Sequence, residues 1–202
     1  MSRPKTISKA YISMNKELHA RPNGFGGGGH KHARAIVDLA LKHECKTLLD
    51  YGAGQQTLST AIAEKYPYFF REIQDYDPAV LKIAEPPRPA DIVVCTDVLE
   101  HIEPQYLENV LKELYDLTGK VIYLYIATIT TAKTLSDGRS AHLIVEKPWY
   151  WEKKITEAGF VNLKITENVV PEKDPPLRGV FVTAQKESGQ GGEALGESDG
   201  IT

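Results

Sequence analysis

"TLLDYGAGQQTLSTAIA", residues 47–63, decides the fold. A short apolar run ends on Asp50, Gly52 and Gly54 follow one residue apart, and from Thr57 onward the apolar residues recur at helical spacing. The order is strand, tight turn, helix. Without Cβ atoms, the two glycines let the backbone turn sharply and let a ligand approach the main chain. The helix that follows opens with unpaired N–H groups, which favour a carboxylate or phosphate. A dinucleotide loop would read G-x-G-x-x-G; here the third place is Thr57, so that pattern fails. Asp50 is the more telling residue. An anionic side chain at a strand end suits a ligand carrying a cationic group there, and would repel a pyrophosphate.

Outward from this stretch, strands and helices alternate. "ADIVVCTD" (90–97) and "KVIYLYIAT" (120–128) are continuously apolar and β-branched, as strands covered on both faces are. "YFFREIQDY" (68–76) is a strand ended by Asp77-Pro78. "HKHARAIVDLALKHE" (30–44), "TLSTAIAEKY" (57–66), "PQYLENVLKELYDLTG" (104–119) and "WYWEKKITEAGF" (149–160) carry helical stripes. "VNLKITENVV" (161–170) and "GVFVTAQK" (179–186) are two final strands in succession. The pattern predicts a doubly wound, mostly parallel α/β sheet with a C-terminal antiparallel hairpin. Ligands in such sheets bind beyond the carboxyl ends of the strands, where strand order reverses. Asp50, Gly52, Gly54, Asp77, Thr96, Asp97 and the polar stretch after residue 128 all fall at such ends.

The ends of the chain read differently. Residues 1–29 lack a clear pattern and finish in "GFGGGG" (24–29), so they are expected to be irregular. One reading makes them a lid carrying Tyr11, His19 and Phe25, hinged on the glycines; the other makes them a loose extension. Residues 30–186 form the main domain, and Glu187 to Thr202, rich in Gly, Glu and Ser, is expected to be a disordered tail. The 202 residues suffice for one packed core, and a net charge of -3 gives no electrostatic pull toward nucleic acid. No apolar run approaches the roughly 20 residues of a membrane span. Cys45 and Cys95 sit beside apolar runs, as buried thiols do, which fits a reducing cytoplasm.

Three segments together point to a family. "LLDYGAG" resembles the first motif of the class I S-adenosylmethionine-dependent methyltransferases, whose cofactor carries an ammonium, a carboxylate and a sulfonium on one short chain. "DYDPAV" (75–80) is similar to the family's second motif, where an acid accepts hydrogen bonds from both ribose hydroxyls; Asp77 is the first choice and Asp75 the second. "CTDVLEHIEP" (95–104) resembles the "D-V-L-E-H" segment of members that methylate small molecules. The resemblance implies a Rossmann-like fold and S-adenosylmethionine as cofactor. It implies a binding set of Asp50, Gly52, Gly54, Gln56, Asp75, Asp77, Thr96 and Asp97. One departure stands out. Residues 78–90, "PAVLKIAEPPRPA", occupy the place where the family usually fits a helix, a strand and an acidic loop against the adenine, so the fold is shortened between its second and third strands, with at best a vestigial strand at "LKIA" (81–84).

Methyl transfer is an in-line displacement, so the protein positions the acceptor and removes its proton where needed. Within "SDGRSAHLI" (136–144), Arg139 could pair with a phosphate or carboxylate and His142 could act as general base, unless this is a plain turn at Asp137-Gly138 with His142 simply hydrogen-bonded. His101 reads as structural, and one of Trp149 and Trp151 as a core anchor. His30 and His32 diverge on a helix and lack a spaced third ligand, so no metal is expected. The DNA amino-methyltransferase motif and the Pro-Cys pair of cytosine chemistry are both missing, which speaks against a nucleic-acid polymer as substrate. The expectation is methyl transfer to an oxygen or nitrogen of a small molecule, with a catalytically inactive binding module as the alternative.

Overall fold

The structure, a computed structural model, describes residues 4–21 and 26–186. Six strands form one sheet in the order β2-β1-β3-β4-β6-β5: β1 (Thr47–Tyr51), β2 (Glu72–Tyr76), β3 (Ala90–Thr96), β4 (Thr118–Ala127), β5 (Phe160–Val169) and β6 (Leu177–Lys186). β1 pairs in parallel with β2 and β3, and β3 with β4, while β6 lies antiparallel between β4 and β5. The doubly wound, mostly parallel sheet with an antiparallel C-terminal pair is therefore the fold the chain adopts. After β2 the chain returns to the other side of β1, which places the reversal of strand order at the carboxyl ends of β1 and β3.

Side-chain alternation explains why both faces are covered. Leu48, Ile92, Val94, Val121 and Tyr123 point to one face, against α2 (Ala33–Lys42) and α3 (Thr57–Lys65). Their sequence neighbours Leu49, Val93, Cys95, Ile122 and Leu124 point to the other, which α4 (Leu107–Leu117) and α5 (Pro148–Glu157) cover. On α4 the buried stripe is Leu107, Val110, Leu111, Leu114 and Leu117, spaced to keep one side of a helix inward. Trp151 is fully buried and is the core anchor of the tryptophan pair, whereas Trp149 is 61% exposed. Both cysteines are buried and free. No helix among the described residues is long and apolar enough to cross a membrane.

Two expectations need correction. The N-terminal region is not irregular throughout: Lys9–Ala20 is a helix, α1, and the Ser8 hydroxyl caps it by accepting the Tyr11 N–H at 3.1 Å. Tyr11 and Leu18 are buried, packing with Leu135 and Ala141 of the long polar stretch, and Ile7 and Met14 pack against the same group. A loose extension is thus ruled out for these residues. The vestigial strand at "LKIA" is a 3-10 turn, Leu81–Ile83, closed by the Asp77 N–H donating to the Ile83 carbonyl at 3.0 Å. Phe25 and the tail from Glu187 lie outside the described residues.

Candidate functional site

Two connected hollows open at the carboxyl ends of β1 and β3. The smaller is walled by the backbone of Gly26, Gly28 and Gly52 and by Asp50, Thr96 and Asp97. The larger is a cleft that runs past Gly52, Asp77 and Ala79 to Val98, His101 and Ile102, with α1 supplying Tyr11, Asn15 and His19 along its rim. Asp97, at φ 55, donates its N–H to the Tyr125 carbonyl at 3.0 Å and borders both hollows.

The glycine turn is shaped by its neighbours as much as by a ligand. Gly52 has φ 87 and faces Val98, and Gly54 has φ 48. A Cβ on Gly54 would stand 2.6 Å from the Gly26 Cα, so this glycine is pressed backbone to backbone against the N-terminal segment. The Gln55 N–H donates to the Gly26 carbonyl at 3.3 Å and fastens the contact. The glycine run at 26–29 is therefore the second wall of the smaller hollow.

Asp50 is 4% exposed. Burial, reinforced by the charges of Asp75 and Asp77, pushes its carboxyl up to about 8. Asp75 stands opposite Asp50 in the β1–β2 register but turns to the α3 side, accepting from Gln56 Nε2 and from the Ser59 hydroxyl, each at 2.8 Å. Gln56 itself has φ 57 and precedes α3, so its side chain ties the turn to β2. Asp77 faces the cleft. Its carboxylate accepts the Gly54 N–H at 3.2 Å and the Ala79 N–H at 2.9 Å, with His19 Nε2 3.6 Å away. Of the two acids offered for a diol, Asp77 alone borders the cleft.

The segment of α1 is fastened to its neighbours by three hydrogen bonds. The Tyr11 hydroxyl donates to the His101 carbonyl at 2.5 Å, the Ser8 N–H to Glu103 at 2.7 Å, and Asn109 to the Lys5 carbonyl at 2.8 Å. These bonds fasten the segment to the turn after β3 and to α4, along a cleft that Pro78 and Ala79 also line.

Within the 129–147 stretch, His142 packs beside His101, whereas Arg139 pairs with Asp137. A bridge between Thr134 and Ser140 closes a turn at Gly138, and Arg139 is held there by Asp137 at 2.7 Å, half exposed; neither Arg139 nor His142 lines the cleft itself. The His142 ring stands edge-on to His101 with centroids 4.8 Å apart. Burial and the neighbouring His142 hold the His101 imidazole down to about 3, while burial and Asp97 raise the Glu100 carboxyl to about 8. The Glu100–His101 pair was missed as a chemical group in the sequence, although both residues stand inside the "D-V-L-E-H" segment. The expected helical divergence of His30 and His32 is seen in their separate partners, the Gly27 carbonyl and the Tyr123 hydroxyl.

Comparison with known proteins narrows what such a site belongs to. The 1,6-didemethyltoxoflavin-N1-methyltransferase of Burkholderia thailandensis, solved with its substrate and S-adenosylhomocysteine, superposes with a TM-score of 0.61 at 16% identity, covering 93% of this chain and 94% of that one. An S-adenosylmethionine-dependent methyltransferase of Clostridium acetobutylicum gives 0.57 at 13% identity, covering 89% and 98%. Human N-acetylserotonin methyltransferase, solved with S-adenosylmethionine, gives 0.52 at 16% identity over 78% of this chain, which spans 52% of the human chain. At these identities the likeness is one of fold. No curated protein matches the chain significantly. A family model described as a methyltransferase domain matches residues 27–161, which run from the glycine wall through every strand end of the site; the chain belongs to the methyltransferase-domain family.

Proposed function

We propose that this chain transfers a methyl group from S-adenosylmethionine to an oxygen or nitrogen atom of a small-molecule acceptor. The carrying observation is Asp50: a buried carboxyl, raised toward neutrality by its surroundings, at the edge of a hollow walled by glycine backbone. Such a group gains from a cationic partner, and the methionine end of S-adenosylmethionine is cationic. Asp77, across the turn, is placed for the ribose diol because a carboxylate offers several acceptor sites and no donors. Gly52, Gly54, Thr96 and Asp97 complete the set. Gln56 and Asp75 act behind it, holding the turn in shape.

Acceptor chemistry belongs to the corner where His101, with the His142 ring edge-on to it, borders the cleft. His142 Nδ1 lies 2.5 Å from the Ile129 carbonyl, so its other nitrogen keeps the lone pair. That state suits handling of an acceptor proton, whereas the Arg139 guanidinium is already paired with Asp137. The rim formed by α1 suits a small acceptor, as does the bound substrate of the Burkholderia enzyme.

The shortened 78–90 segment favours one other reading, a fold that binds the cofactor without turnover. Calorimetric titration with S-adenosylmethionine and S-adenosylhomocysteine tests the first reading: binding of neither, with tight binding of a nicotinamide dinucleotide, would refute it. Single-turnover transfer of labelled methyl into a pool of small metabolites separates enzyme from binding module.

A further inference from the structure

Glu100 poses the problem from which this inference starts. Its side chain is fully buried; one carboxylate oxygen accepts the Ala127 N–H at 3.0 Å and the other finds no hydrogen-bond partner among the described residues. Burying a carboxylate without compensation is costly. Beside it, His101 Nδ1 lies 2.7 Å from the Ala141 carbonyl and His142 Nδ1 2.5 Å from the Ile129 carbonyl. A carbonyl only accepts, so in both rings Nδ1 carries the proton and Nε2 the lone pair. That is the arrangement by which backbone carbonyls orient imidazoles for metal ligation. One ligand atom from each of Glu100, His101 and His142 falls within a mutual 4.8 Å. Bonds of about 2.1 Å would set such donors roughly 3–4 Å apart, so side-chain rotations of about an ångström close the set.

We propose that Glu100, His101 and His142 form a binding site for a first-row divalent cation. Two imidazoles with one carboxylate favour ions such as manganese, iron, cobalt or zinc over magnesium and calcium. Three protein donors leave positions for water or substrate. His101 borders the cleft, so the ion stands at its edge. Its role rests on the methyltransferase reading. An acceptor hydroxyl bound to the cation loses its proton more readily. With the cation bound, His142 Nε2 is a ligand and not a base, so the O–H bond breaks with the proton passing to water, the oxygen bonds to the methyl carbon, and the carbon–sulfur bond breaks with its electron pair staying on sulfur. An amine would surrender its single lone pair to the metal, whereas a deprotonated hydroxyl keeps others. The site therefore selects an oxygen acceptor.

The test uses the full chain, stripped with a chelator and titrated with cobalt(II) chloride while visible absorption is recorded. One equivalent should bind, with magnesium failing to compete at equal concentration. Glu100→Gln and His142→Ala should each abolish the defined stoichiometry, thermal melting having shown that the variants remain folded. Cobalt binding without stoichiometry, or unaltered in both folded variants, overturns the site. S-adenosylhomocysteine titrated into the same samples separates the two ideas. Its binding without cobalt uptake refutes the metal alone, and cobalt uptake without it refutes the cofactor reading while supporting the metal. Cation-independent labelling of amines would overturn the oxygen preference.

Discussion

Asp50 is an ionisable group at odds with its buried place in the fold. Ordinarily such a carboxyl ionises near 3.8, but here burial and the facing charges of Asp75 and Asp77 raise it to about 8; His19 stands beyond, against Asp77. The folded chain therefore holds a proton that the unfolded chain has released. Between those two values this residue's contribution to stability falls as pH rises, the loss being complete above about 8. Melting of the cofactor-free chain against Asp50→Asn, which cannot ionise, should show the wild type losing ground across that window. A constant difference would place Asp50 outside the titration. The same variant, with shape kept and charge removed, should bind S-adenosylmethionine about ten- to a hundredfold more weakly, since charged hydrogen bonds are worth roughly 1.5–3 kcal/mol. Untouched affinity would make Asp50 a structural cap. Asp77→Ala and Asp75→Ala should then divide. The first weakens cofactor binding in calorimetry; the second, which frees Gln56 and Ser59, lowers stability by about 1 kcal/mol and leaves affinity nearly intact.

At the scale of elements, α1 and the glycine run take over a wall that the short 78–90 segment cannot build. The sequence contained the signals for α1: a capping serine at position 8 and Tyr11, Met14 and Leu18 on one helical side. They were overlooked because the stripe is narrow and what it packs against, Leu135 and Ala141, comes from far along the chain. Gly26→Val should expose the dependence. Its φ of 82 resists a branched side chain, and the new Cβ would stand 2.7 Å from the Gly54 Cα, so the segment must lift away. Cofactor affinity should fall at least about tenfold, equivalent to 1.4 kcal/mol, while the melting temperature stays close to wild type because the sheet core is untouched. Unchanged affinity in titration would show that the glycine wall plays no part. Tyr11→Phe, removing the bond to the His101 carbonyl, should cost about 1 kcal/mol and speed cofactor release in stopped-flow measurements.

For the whole molecule, stability resides in two apolar layers on either side of one sheet. Trp151→Ala should cost about 3–5 kcal/mol in denaturant unfolding, and Trp149→Ala, on an exposed side chain, less than about 0.5 kcal/mol. Comparable losses would mean that the two helix faces are misassigned. This layering was legible in the residues themselves. Period-two and period-3.6 apolar patterns are local, so Leu48 and Leu49, or Val93 and Val94, announce their opposite faces without any partner being known. The Asp50–Gly54 turn is likewise local, as are the acid at the end of β2 and the turn at Gly138. Separations in space are not local, and there the sequence alone was silent. Which of Asp75 and Asp77 meets the cleft depends on where Gln56 and Ser59 reach. That Gly54 packs against Gly26, and that Arg139 is spent on Asp137, follow from how loops fold back. Glu100 and His101 come from the turn after β3, while His142 comes from the far end of the long stretch after β4. No spacing rule joins them. Their meeting is decided by β3 and β4 lying side by side, because parallel pairing brings the carboxyl ends of both strands to one edge of the sheet.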